Sequence, residues 1–185
     1  WRDWSSDVCS SDLMIDEYIA RVENAIGCAK FDRTKLINEI FSLEGMSSRE
    51  NRILLNEILK DGDKYLEIGV YKGSTFVSAL YEKNVTAVAI DNFSQFGGDS
   101  NKDHFHQNCD KHSIKDFNFI TTDCFNLSNE DKDIIKNTNV YFYDGDHREE
   151  DQENALTYYF DLLANPFIFI VDDWNHQPEI GRAHV

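Results

Sequence analysis

The chain has 185 residues, 41% of them apolar, and a formal charge of −16 at pH 7. That length suits one globular domain with a real core and is too short for two. The acidic balance repels a phosphate backbone and an anionic bilayer, so neither nucleic acid nor a membrane is an expected partner.

The two ends do not read as part of the fold. Residues 3–13 (DWSSDVCSSDL) back-translate to one strand of a sequencing-library adapter, and residues 179–185 (EIGRAHV) to the complement of its second half. Residues 1–13 and 179–185 are therefore set apart as adapter-like artefact, with Met14 as the apparent start. Leaving out Arg2, Arg182, Asp3, Asp7, Asp12 and Glu179 moves the charge from −16 to −14, still strongly acidic. Cys9 leaves with the adapter. Cys28, Cys109 and Cys124 remain, an odd and widely spaced set without CxxC pairs. Such a set points to reduced thiols and a cytoplasmic protein rather than a disulfide framework or a zinc site. No apolar run approaches the length of a membrane span, and no signal peptide precedes Met14.

Residues 14–60 read as a helical preface. Ile15, Tyr18, Ile19, Val22 and Ile26 recur at helical spacing, and Leu36, Ile37, Ile40 and Phe41 repeat the pattern. A third helix is signalled by Ser47 with Glu50 in capping-box spacing, followed by Ile53, Leu54, Leu55, Ile58 and Leu59, and it ends at Asp61-Gly62-Asp63. From residue 61 to 178 short apolar strands alternate with helices. Strands are expected at 64–68, 85–90, 117–121, 140–143 and 167–171, and helices at 74–82, 101–111, 129–136 and 150–163. The strands are apolar enough to be covered on both faces, which predicts an α/β, Rossmann-like parallel sheet. Right-handed crossovers then bring the carboxyl ends of all strands to one edge, where such sheets bind ligands.

Acidic residues stand at all five of those ends. After the first strand comes Glu67-Ile68-Gly69-Val70-Tyr71-Lys72-Gly73-Ser74, whose glycines allow either close approach of a ligand or tight strand-to-helix packing. The second strand ends at Asp91, 24 residues after Glu67, placed to accept from both hydroxyls of a ribose or to be solvated. Asp123 and Cys124 follow the third, where Asp123 reads equally as an adenine contact and an ordinary turn residue. The fourth ends in Tyr143-Asp144-Gly145-Asp146-His147 and the fifth in Asp172-Asp173-Trp174-Asn175. His104 and His106 flank Phe105 at a spacing unsuited to one helix face, so they read as solvated residues rather than metal ligands. The 93–100 stretch is either a cover for a bound nucleoside or a surface loop.

The ordered set E-I-G-x-x-x-G-S, I-D-N, T-D-C, Y-D-G-D-H and V-D-D-W resembles class I S-adenosylmethionine-dependent methyltransferases. Within these it resembles the D-G-D-H small-molecule O-methyltransferases of macrocin type, over residues 45 to about 174. The resemblance implies strand order 3-2-1-4-5 and transfer of a methyl group to a hydroxyl of a sugar or other small molecule. It puts Glu67, Gly69 and Gly73 around the methionine end of the cofactor, with Ile68 and Ser74 beside them. It puts Asp91 and its neighbour Asn92 on the ribose, Asp123 and Cys124 near the adenine, and Asp144 at the reacting end. In metal-dependent relatives the positions of Asp144, Asp172 and Asp173 hold Mg²⁺, an ion suited to hard carboxylate oxygens. Asp144 and His147 are then the catalytic candidates, His147 as general base or as a structural link to a neighbouring loop. Trp174 is placed to wall the acceptor pocket or to pack the sheet edge.

Such enzymes finish the sheet with two further strands, so the 61–178 domain is expected to be incomplete, with an exposed fifth strand and a tendency to aggregate. Two other readings of the same fold stay open. One is an NAD-dependent oxidoreductase, against which the E-x-G-x-x-x-G spacing argues. The other is a non-catalytic nucleotide-binding module. The sequence does not specify an oligomeric state.

Overall fold

The computed structural model describes residues 5–173, with side chains from Leu13 onward. Helix α1 (Ser5–Lys30) leads into a short α2 (Asn38–Phe41) and α3 (Arg49–Ile58). There follow β1 (Lys64–Ile68), α4 (Ser74–Leu80), β2 (Thr86–Ile90), α5 (Asp99–Lys111), β3 (Phe117–Ile120), α6 (Asn129–Ile135), β4 (Thr138–Tyr143), α7 (Glu149–Thr157) and β5 (Leu163–Val171). The five strands are parallel in the order β3-β2-β1-β4-β5. This is the expected sheet; the two final strands of the methyltransferase pattern are not among the described residues.

The period-two alternation of the strands divides their side chains between two cores. Tyr65, Ala87, Ala89, Val140, Phe142 and Ile168 face one, with α3, α4 and α5 supplying Ile53, Phe76 and Phe105. Leu66, Ile68, Val88, Ile90, Tyr141 and Tyr143 face the other, covered by Ile135, Ala155 and Tyr159. Central strands with two apolar faces cannot slip by one residue without turning Glu67 and its kind to the wrong layer, which fixes the register. Because the chain runs outward from β1 to β3 and then returns to β4, the reversal opens a crevice at the carboxyl ends of β1 and β4.

Several expectations need correction. The face of α1 carrying Ile15, Ile19 and Ile26 does not point inward; these residues are about half exposed. The inward face is Arg21, Ala25 and Cys28, with Tyr18 and Val22 at its margin. The reason is Asp63, buried just before β1, which pairs with Arg21 and draws a charged residue into the interface. The second helical pattern yields only the single turn Asn38–Phe41, and Ile37 lies outside it and exposed. The cap of α3 is Ser48, whose side chain accepts from Asn51 N, rather than Ser47. The last strand starts at Leu163, ahead of Pro166, and the expected 150–163 helix stops at Thr157 with a 3₁₀ turn over Phe160–Leu162.

Candidate functional site at the carboxyl edge

Each strand-end acid is aligned by its own backbone. Asp144 N donates to Ile68 O (2.9 Å), Asp172 N to Tyr143 O (3.0 Å) and Asp91 N to Ile120 O (3.3 Å). Each N–H extends the parallel ladder by one rung, so Asp91, Asp144 and Asp172 line the same edge. At the crevice, Gly69 N donates to Ile90 O (2.9 Å), and Gly69 has φ +83°. Its missing side chain is needed for packing: a Cβ there would stand 1.9 Å from Asp144 O. Gly73, also at φ +83°, serves Phe105 in the same way, with Cδ2 2.9 Å from the would-be Cβ. The packing role of both glycines is thus visible in the structure.

Asp91 braces the loop between them. Its Oδ2 accepts from Tyr71 N (2.9 Å) and its Oδ1 from Phe93 N (2.7 Å). Tyr71 and Phe93 both have positive φ, 48° and 50°, conformations that side-chain-bearing residues hold only when their surroundings impose them. Tyr71 meets Phe96 edge-on at 6.1 Å, which brings the 93–100 stretch over the glycine loop. Each carboxylate oxygen of Asp91 retains a lone pair for a further donor.

Glu67 does not open onto the edge. It is wholly buried beneath the loop, accepting from Tyr65 Oη (2.5 Å) and Thr75 Oγ1 (2.5 Å). Burial, opposed by those two hydrogen bonds, raises its pKa to about 7. Asp144 is pushed further, to about 8, first by burial and then by the nearby charges of Asp172, Glu67 and Asp173. Asp172 is raised in turn by burial and by Asp173. Its Oδ1 accepts from Asn51 Nδ2 at 3.3 Å, a link to α3 that no local pattern announces. Asp173 is exposed at φ 49°, with Oδ2 3.8 Å from His147 Nε2.

The third strand end is looser. Asp123 is exposed and its Oδ1 accepts from Phe125 N (2.9 Å), the geometry of an ordinary Asx turn. Asn92 does the same for Ser94 N (2.9 Å). Cys124 is half-buried, its carbonyl accepting from Tyr159 Oη (2.5 Å), and its thiol is pushed up to about 12 by burial and Asp123. Ser74 Oγ turns away from the loop toward Gly45 and lies 3.4 Å from Ser47 Oγ. Among the described residues no three His, Cys, Asp or Glu side chains are gathered closely enough to hold a metal ion. Asp144 and Asp172 stand together while Asp173 turns toward His147. Trp174 and Asn175 lie outside the described residues. An open surface depression at the opposite edge is lined by Asn84, Thr86, Lys115 and Asn118, away from the strand-end acids.

No family model matches the chain, and no curated protein matches it. Among solved structures it is similar to an S-adenosylmethionine-dependent methyltransferase from Thiobacillus denitrificans in complex with S-adenosyl-L-homocysteine. That match has 14% identity and a TM-score of 0.52, over 75% of this chain and 54% of the other. It is similar to a Staphylococcus aureus protein assigned as a caffeoyl-CoA O-methyltransferase, at 14% identity and a TM-score of 0.54, over 95% and 81%. A third likeness is to precorrin 8w decarboxylase of Methanobacterium thermoautotrophicum, at 21% identity and a TM-score of 0.53, over 70% and 65%. The chain spans 51–65% of the length of the first structures it matches. At these identities the likeness is one of architecture, and the chain has the Rossmann-like fold of the methyltransferases.

Proposed function

We propose that this chain binds S-adenosylmethionine at the β1/β4 crevice and belongs to an enzyme that methylates a hydroxyl of a sugar or other small molecule. The observation that carries the reading is the gathering of Asp144, Asp172 and Asp173 at the crevice above the buried Glu67, where burial first and the neighbouring carboxylates second raise the pKa of Asp144 and Asp172. Such a site favours a cationic ligand, and S-adenosylmethionine brings a sulfonium and an ammonium. The same site disfavours the pyrophosphate of NAD, which needs amide donors or a cation at this position. Lys72, the cation of the loop, is already paired with Glu44.

In the reaction, the acceptor oxygen forms a bond to the methyl carbon while the carbon–sulfur bond breaks, leaving its electron pair on sulfur as S-adenosylhomocysteine. The hydroxyl proton goes to a base. His147, on the adjacent loop, is suited to take it, as is Asp144 once it has released its own proton, near pH 8. Asp91 would hold the ribose with the lone pairs left over from bracing the loop, and the turn carrying exposed Asp123 and half-buried Cys124 would flank the adenine. Asp144 and Asp172 offer the one or two hard carboxylates that Mg²⁺ takes while keeping its waters. Bound there, the ion would lower the pKa of an acceptor hydroxyl and hold it in place.

Cys28, Cys109 and Cys124 are free thiols, and no helix of the described residues is long and apolar enough to cross a membrane. The thiols support a reducing, cytoplasmic setting. Calorimetric titration of the intact protein with S-adenosylhomocysteine and with NAD, each with and without Mg²⁺, tests the reading. Saturable binding of S-adenosylhomocysteine alone is expected. Binding of NAD alone would replace it with the oxidoreductase.

A further inference from the structure

The segment between α2 and α3 is folded onto the glycine loop, and the fit depends on a residue outside every motif. A Cβ on Gly45 would stand 1.8 Å from Ser74 Oγ and 2.5 Å from Ser74 Cβ. Only glycine lets the segment lie so close to the first residue of α4. Beside this contact Ser47 Oγ is 3.4 Å from Ser74 Oγ, and Glu44 pairs with Lys72. Behind it sits Arg52, 4% exposed. Its Nε donates to Ser47 Oγ (2.8 Å), and its terminal nitrogens donate to the carbonyls of Ile40 (3.3 Å), Phe41 (3.2 Å) and Leu43 (3.1 Å). All four acceptors belong to the 40–47 segment and none is a carboxylate. A buried guanidinium spread over four neutral acceptors of one segment acts as the template on which that segment folds.

We propose that residues 43–47, folded around Arg52, form the wall of the cofactor site where the glycine loop enters α4, and that Gly45 and Arg52 are positioning residues for S-adenosylmethionine. The proposal rests on the methyltransferase reading above. A ligand lying along the backbone of residues 69–73 ends against this wall, so its distance from Ser74 sets the length of the site. Displacing the wall changes cofactor affinity while leaving the residues of the glycine loop unaltered.

The test is titration of the full chain with S-adenosylhomocysteine, with the thermal midpoint of the ligand-free protein recorded for each variant. Gly45→Ala forces the wall away from Ser74 and is expected to weaken binding about tenfold. Adding Ser74→Gly removes both clashing atoms, so the double variant should return to within about threefold of Ser74→Gly alone. Ser47→Ala introduces no clash and tests the same wall should Gly45→Ala not fold. It removes the acceptor of Arg52 Nε, so it should weaken binding about fivefold and lower the midpoint modestly while leaving the protein folded. Wild-type affinity in Ser47→Ala and Gly45→Ala overturns the wall, as does a double variant as weak as Gly45→Ala. Failure of the wild-type chain to bind S-adenosylhomocysteine overturns the methyltransferase reading itself, and the wall with it.

Discussion

Gly69 and Asp144 meet backbone to backbone across the crevice: a Cβ on the glycine would lie 1.9 Å from the aspartate's carbonyl oxygen and 2.7 Å from its carbonyl carbon. Neither atom is the end of a flexible side chain, so β1 and β4 must part for any substitution. Gly69→Ala combines this clash with φ +83° and is expected to cost about 3 kcal/mol and to remove S-adenosylhomocysteine binding. Gly62 is the control. It has φ +90° with nothing within 4 Å of its would-be Cβ, so Gly62→Ala should cost only about 1–2 kcal/mol of backbone strain. Urea unfolding of the two variants separates the effects; equal costs would show that conformation, not contact, sets the requirement at Gly69.

Asp91 is predicted to work twice, as brace and as ligand. Asp91→Ala leaves Tyr71 N and Phe93 N without their acceptor in a partly buried turn. It is expected to destabilise the chain by about 2 kcal/mol and to abolish S-adenosylhomocysteine binding. Calorimetry on the folded variant decides: undiminished affinity would leave Asp91 as a turn brace only.

The sheet and its acidic edge were legible because both follow from short-range patterns. Strands such as YLEI and TAVAI are apolar on both faces, and residues one step past a parallel strand are bound to share an edge. The orientation of α1 was not legible, since Arg21 turns inward only because Asp63, 42 residues on, needs a cation. Asn51, Tyr71 and Gly45 were missed for the same reason. Each acquires its part through a contact with Asp172, Asp91 or Ser74 that no local spacing encodes. The glycines of the loop were found by motif, but their packing against Asp144 and Phe105 could only be read in three dimensions.

Stability should fall as pH rises from about 4 to about 8, the interval over which the folded chain holds protons that the unfolded chain has lost. Asp144 and Glu67 hold protons in the folded chain up to about pH 8 and about pH 7, whereas in the unfolded chain carboxyls release them near pH 4. Their contribution is therefore fully present below about pH 4 and is lost as pH rises through 7 to 8. Asp144→Asn keeps the shape of the protonated acid and cannot ionise. It is expected to raise the urea midpoint at pH 8.5, to leave it nearly unchanged at pH 5, and to lower any methyl-transfer rate. An unaltered pH slope in this variant would mean that Asp144 is ionised and solvated in the folded protein.

The buried Arg21–Asp63 pair should respond unequally to loss of its two members. Asp63 also accepts from Lys60 N (2.7 Å) and Asn139 Nδ2 (2.7 Å), so in Arg21→Met it keeps two donors and can take up a proton. Among the described residues, Arg21 in Asp63→Ala keeps only the Ile58 carbonyl and the face of Tyr18, 5.7 Å away, and a guanidinium cannot shed its charge. Asp63→Ala is expected to cost about 3–5 kcal/mol, as for a buried charge left without its partner, and Arg21→Met about half as much. Because the pair sits at the amino end of β1, opposite the crevice, S-adenosylhomocysteine affinity of folded Arg21→Met should equal that of the wild-type chain. Weakened binding there would show that the seating of α1 reaches the carboxyl edge, through α3 and its Asn51 contact with Asp172.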